Sequence, residues 1–243
     1  MAQGTAEEVE ALLTGSWKAM EANAYPRYLA FLCARKLGQW MRAKKGTPAS
    51  VPWFKAAASQ LGRAIREPCF DDGNQRIFVR GLFGTWGHSS ILEPAEAILK
   101  ETHGIDDLDP WICQILAGYA LVDSGFEVRG SKWASEVPEG ARQEMSSLLG
   151  QAGEVLQAAH RAHPEYPEAA AKMITVRMAI STGDPSEDLG RLRKWFDAAV
   201  AAEMDYKPAY DQMLWALRPR WGGSHEHMLS FGRECLETAR FDT

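Results

Sequence analysis

The stretch Val155-Leu156-Gln157-Ala158-Ala159 is answered forty residues later by Trp195-Phe196-Asp197-Ala198-Ala199. At the same offset Ala162 meets Ala202, Tyr166 meets Tyr206, Ala169 meets Ala209 and Met173 meets Met213. Each copy reads as a helix with small residues on one face, then a proline-bearing turn, then a second helix. Alanines allow two helix backbones to approach closely, while the aromatic and methionine positions fill the space between layers.

This is the logic of a tetratricopeptide-like helix hairpin, although the period exceeds the standard of about 34 residues. Two hairpins alone bury too little surface to be stable, so the helices upstream are expected to complete the stack. The expected fold is therefore all-α, an α-solenoid-like stack of antiparallel hairpins.

Upstream, Thr5-x-x-Glu8 is a capping box ahead of Val9, Leu12, Leu13, Trp17 and Met20, which predicts a first helix to about Asn23. Pro26 suits the first turn of a second helix with an apolar face of Leu29, Leu32, Cys33, Leu37, Trp40 and Met41. A third helix is expected to start at Pro52 and stop before Pro68. Residues 68–90 are different. The turn cluster Asp71-Asp72-Gly73-Asn74 and the glycines Gly81, Gly84 and Gly87 mark an irregular glycine-rich loop, with room for a short strand at Ile77–Val79. Helices resume near Glu93-Pro94, and Asp109-Pro110 is an N-cap followed by a first-turn proline. The expected organisation is an N-terminal helical region, 1–104, and a repeat region, 105–243, forming one continuous helical unit.

Composition narrows the function classes. The chain has 243 residues and a formal net charge of −5, a balance that argues against nucleic-acid partners, which require a basic face. No window approaches the ~18 uninterrupted apolar residues of a membrane span. The opening residues lack a basic segment followed by an apolar run, so no targeting peptide is expected. Four dispersed cysteines contain no CxxC pair and read as reduced, buried thiols of a cytoplasmic protein.

Three features stand together from about Ile105 onward: Gly125-Phe126-Glu127-Val128-Arg129-Gly130-Ser131-Lys132-Trp133-Ala134, the alanine-rich helix pairs, and Leu217-Arg218-Pro219-Arg220-Trp221-Gly222-Gly223-Ser224 with Met228 and Phe231. On these residues the chain resembles the DUF4034 family, a bacterial family of unknown function. The resemblance implies a tetratricopeptide-like helical fold and brings no catalytic residues. It also implies that the pattern continues past Thr243.

The turn Arg218, Arg220, Trp221, Gly222, Gly223 and Ser224, together with Arg129, is the candidate site. Ser224 is placed to cap a helix, and two guanidiniums beside a helix N-terminus can hold a phosphate or carboxylate. The competing reading is structural: glycines for the turn, Trp221 in the core, and arginines paired with local acids. Arg129 needs a carboxylate or backbone partner; Glu127 and Glu136 are candidates, and a structural ion pair is expected in preference to a catalytic role.

His225-Glu226-His227 cannot easily hold one metal ion, because residues i and i+2 of a helix point about 200° apart. His160 and His163 lack a third ligand and read as helix-surface histidines. Gly81-x-x-Gly84-x-x-Gly87 lacks the ending of a phosphate-binding loop, and His88-Ser89-Ser90 is not a nucleophile elbow. No catalytic constellation, metal site or cofactor site stands out. The nine tryptophans are spread along the chain as layer fillers, and any left exposed would mark an interface.

The leading expectation is a protein-interaction scaffold whose partner is another protein. The alternative is a small-anion-binding protein or hydrolase built on Arg218, Arg220, Ser224 and His225.

Overall fold

A computed structural model describes residues 5–23, 25–65, 92–104 and 108–238, together with Glu67, Arg76 and Arg80. Among the described residues there are ten α-helices, two short 3-10 turns and no strand, so helix accounts for more than half of the chain. Of the segment 68–90, expected as an irregular glycine-rich loop, only Arg76 and Arg80 are described, and both are helical; the expected strand at 77–79 and the His88-Ser89-Ser90 segment lie outside the described residues. The chain divides into two compact units, Met1–Ile112 and Cys113–Thr243.

The first unit holds α1 (Ala6–Ala22), α2 (Arg27–Lys45), α3 (Thr47–Ala64) and α4 (Leu92–Thr102). The capping box forms: the Thr5 amide donates to Glu8 at 2.7 Å, and the Glu8 amide donates to the Thr5 hydroxyl at 3.2 Å. Helix α2 ends on basic residues and on Gly46, whose φ of +87° reverses the chain. With one connecting residue, α2 and α3 pack as an antiparallel pair.

Two expectations for this unit change. Helix α3 begins at Thr47, so Pro48 supplies the first-turn proline and Pro52 sits inside the helix at the cost of one backbone hydrogen bond. The buried face of α2 is Ala30, Phe31, Ala34, Leu37, Gly38 and Met41, while Leu29 is exposed and Leu32, Cys33 and Trp40 are half-buried. Close backbone approach decides that face. A Cβ on Gly38 would lie 3.0 Å from the Phe54 ring, so the small residues of α2 receive the large ones of α3. The Trp17 and Trp53 rings meet edge to face at 6.2 Å.

The second unit takes up α5 (Pro110–Arg129) from Cys113 onward. It continues through a 3-10 turn (Ala134–Glu136), α6 (Glu139–Ala162), α7 (Pro167–Ala179), α8 (Pro185–Ala202), α9 (Lys207–Ala216), a second 3-10 turn (Pro219–Trp221) and α10 (His225–Glu237). Asp109 caps α5 through the Trp111 amide at 2.9 Å. The segment Gly125–Arg129 forms the last turns of that helix, which stops at Gly130 with φ +67°.

Helices pack in adjacent pairs, α6 on α7 and α8 on α9, and α7 also packs on α8 and α9. Helix α5 lies antiparallel on α6, with Gly118 facing Leu156 and Gly125 facing Leu149. The repeat is visible atom by atom at the turns. The His163 amide donates to Ala159 and the Tyr166 amide to His163; forty residues on, Glu203 donates to Ala199 and Tyr206 to Glu203. Ala159, Ala199, Ala169, Ala209, Met173 and Met213 are all buried. No helix of the described residues is long and apolar enough to cross a membrane.

Candidate functional site

The turn after α9 is built by its own residues. Leu217 closes the helix, and Arg218 is extended (φ −68°, ψ 147°), as a residue before proline prefers. Pro219–Trp221 then makes a single 3-10 turn in which the Trp221 amide donates to Arg218 at 2.9 Å. The two glycines have separate reasons. Gly222 holds φ +89°, the left-handed region. A Cβ on Gly223 would fall 2.0 Å from the Leu217 carbonyl oxygen, so only hydrogen fits there. The Ser224 hydroxyl caps α10 by accepting from the His227 amide at 3.0 Å.

The two segments of the candidate site, 126–133 and 218–224, come together as a stack of alternating rings and guanidiniums. The Arg129 guanidinium lies 5.3 Å from the Trp221 ring centre, and Phe126 meets the same ring edge to face at 6.1 Å. Arg220 lies 5.8 Å from Trp221 and 5.3 Å from Trp133. Arg218 points elsewhere and lies 4.0 Å over Trp215.

Three expectations are corrected here. Trp221 is half-buried and in contact with two guanidiniums, not a core ring. Arg218 and Arg220 pair with tryptophans, and neither has an ion pair among the described residues. Arg129 is held by backbone carbonyls, donating to Gly130 at 3.0 Å and Lys132 at 3.3 Å, while Glu136 accepts from the Trp133 amide. Planar guanidinium suits this stacking, because it presents a weakly hydrated face to a ring and keeps its N–H edge free.

Beside the stack lies a cleft of about 310 Å³, lined by Arg220, Trp221, Gly222 and Gly223 from the turn, by Arg177, Met178 and Ser181 at the end of α7, by Asp188 and Leu192 of α8 and by His227 of α10. Asp188 is already engaged. It accepts from Ser181 Oγ at 2.5 Å and the Thr182 amide at 2.9 Å, with Arg191 at 3.6 Å. Burial opposes its ionisation, but those hydrogen bonds and the Arg191 charge hold the carboxyl below its usual range. Arg177 is different. It is half-buried, and no hydrogen bond or ion pair reaches it among the described residues. Burial and the like charge of Arg191 push its pKa down.

Of the candidate residues, Arg220, Trp221, Gly222 and Gly223 line this cleft, Arg129 supports it through Trp221, and Arg218, Ser224 and His225 do not line it. Arg177 was not among the candidates read from the sequence. Its signal was a lone arginine inside the apolar run Met173-Ile174-Thr175-Val176-Arg177-Met178-Ala179.

A second polar group lies inside the unit. Glu168 is fully buried, and its carbonyl accepts from the Tyr119 hydroxyl at 3.2 Å. The Lys172 ammonium sits 4.4 Å from the Tyr119 ring centre and 4.0 Å from Asp123. Burial lowers the Lys172 pKa, with Asp123 opposing, and burial followed by the Tyr206 and Glu168 charges raises that of Tyr119. The spacings Tyr119–Asp123 and Glu168–Lys172, each one helical turn, were the sequence signal for this internal network.

His160 and His163 are used in packing. His160 meets Trp195 edge to face at 5.4 Å, and His163 stacks on Tyr166 at 4.6 Å with its Nδ1 2.8 Å from Glu165. Neither is a bare surface group. Among the described residues no three His, Cys, Asp or Glu side chains gather where they could hold a metal ion. Compared with known proteins, the chain matches no family model, no curated protein and no solved structure.

Proposed function

We propose that the repeat region forms a tetratricopeptide-like helix-hairpin stack and serves as a cytoplasmic protein-interaction scaffold, and that its membership lies with the DUF4034 family. The observation that supports the scaffold reading is the exposure of Trp133 and Trp215, 67% and 47% accessible, each held under an arginine that has no acid partner among the described residues. Tryptophan and arginine are the residue types that dominate binding energy at interfaces, and here they stand pre-ordered by stacking. Met204 and Leu214, on the turn before α9 and on α9 itself, are exposed as well. The hydrolase alternative has less support: the Ser224 hydroxyl is engaged as a helix cap, and His225 is exposed and does not line the cleft.

Affinity capture with the parent chain and with a Trp133→Ala/Trp215→Ala double variant tests the reading. The expected result is a protein partner retained by the parent and lost by the variant, with the helical circular dichroism of both unchanged. The same proteins captured by both, or none by either, would count against a scaffold that uses these two tryptophans.

A further inference from the structure

We infer that the cleft between the α7–α8 connection and the Pro219–Gly223 turn binds a small organic anion, a carboxylate or phosphate ester with an apolar body, and that Arg177 and Arg220 are the recognising cations. This goes beyond the scaffold reading and does not depend on it.

Four observations carry the inference. The cleft holds about 310 Å³, within the range of small-molecule sites. Its charges are unbalanced: Asp188 is occupied by Ser181, Thr182 and Arg191, whereas Arg177 and Arg220 have no acidic partner among the described residues. A half-buried guanidinium offers five donors and is costly to leave without acceptors, so the position of Arg177 is one that an anion would improve. Its pKa, pressed down by burial and by Arg191, points the same way. Arg220 is clamped between Trp133 and Trp221, which orders its side chain in advance and leaves its N–H edge available.

Met178, Leu192 and Leu217 make part of the wall apolar, and the Trp221 indole N–H is buried with no acceptor among the described residues. Donors and hydrocarbon in one cleft select an anion with an organic body over a bare inorganic one. The Ser181 hydroxyl donates to Asp188, and the Ser224 hydroxyl is not among the groups that line the cleft.

The test is a thermal-shift and calorimetric titration of the full chain with phenyl phosphate and with benzoate, using inorganic phosphate as comparator. Saturable binding of at least one aryl probe is expected, tighter than that of inorganic phosphate. Arg177→Gln and Arg220→Gln should each weaken it by roughly tenfold or more, the loss of a charged hydrogen bond. Trp215→Ala, outside the cleft, should leave it unchanged.

No saturable binding of either aryl probe overturns the inference. Binding that survives both arginine changes places the ligand elsewhere, and equal affinity for inorganic phosphate removes the organic body. Arg220 is exposed, so its variant should keep the parent's unliganded melting point. It decides the matter even if Arg177→Gln fails to fold.

Discussion

The two hairpins of the repeat share a turn, a set of buried alanines and a buried methionine, yet they differ in what lies on their outer sides. In the first, α6 is backed by α5, whose Gly118 and Gly125 let Leu156 and Leu149 enter. In the second, the residue equivalent to Leu156 is Phe196, which meets Tyr210 at 5.2 Å and Phe231 of α10 at 5.1 Å. Farther along, Ile174 of α7 is fully buried while its counterpart Leu214 of α9 is 40% exposed. One repeat pattern therefore yields an interior hairpin and an open one. The repeat sets the turn and the contact between its own two helices. The neighbours decide which other positions become core and which become surface.

The largest test of this difference is the pair Ile174→Ala and Leu214→Ala. The first removes a buried branched chain and should cost about 2–5 kcal/mol, and the second should stay within about 0.5 kcal/mol. Urea melts measure both, and equal losses would mean that the second hairpin is as enclosed as the first. Next in size is Gly118→Ala. Its new Cβ would lie 2.6 Å from Leu156 Cγ and Cδ2, an overpacking that should cost about 1–3 kcal/mol. Combined with Leu156→Ala, the loss should be smaller than the sum of the two, because the pair is in contact. Strict additivity would show that α5 is not what encloses the first hairpin.

Ser224→Ala addresses the helix that covers the second hairpin. Losing the cap of α10 should cost about 1 kcal/mol and leave the first hairpin's amide-exchange protection intact.

The smallest effect is a pH dependence at the junction of the hairpins, where His160 of α6 packs on Trp195 of α8 and the repeat places Val200 in the equivalent position. Burial, followed by the Lys194 charge, lowers the His160 pKa below 6.5. The folded state thus favours neutral imidazole. Its contribution is fully present above about pH 6.5 and is lost as pH falls through the depressed folded value. His160→Gln should flatten the decline in stability below about pH 6.5. An unchanged slope would place the sensitive group elsewhere.

Much of the candidate site was legible as local chemistry. The Ser224 cap, the positive φ of Gly222 and the extended residue before Pro219 each follow from a residue and its immediate neighbours. The partners of the arginines were not legible. Arg220 has Glu226 nearby in sequence, and nothing local states that its guanidinium would instead meet Trp133 from a distant segment. The face of α2 was misread for a related reason. Hydrophobicity alone favoured Leu29 and Leu32, but the packing against α3 turns on backbone approach, which selects Ala34 and Gly38. Arg177 escaped notice because the cleft that it faces is formed only when α7, α8 and the Pro219–Gly223 turn converge.

By itself, then, the sequence determined the helices, the capped ends and the forty-residue repeat, because propensity, capping and turn geometry act over a few residues. Only the tertiary structure decided which faces are buried, that Trp133, Arg220, Trp221 and Arg129 form one stack, and that a cleft with excess positive charge opens beside it. Those features depend on which helices approach one another and how closely, and steric fit between distant segments leaves no mark on either segment alone.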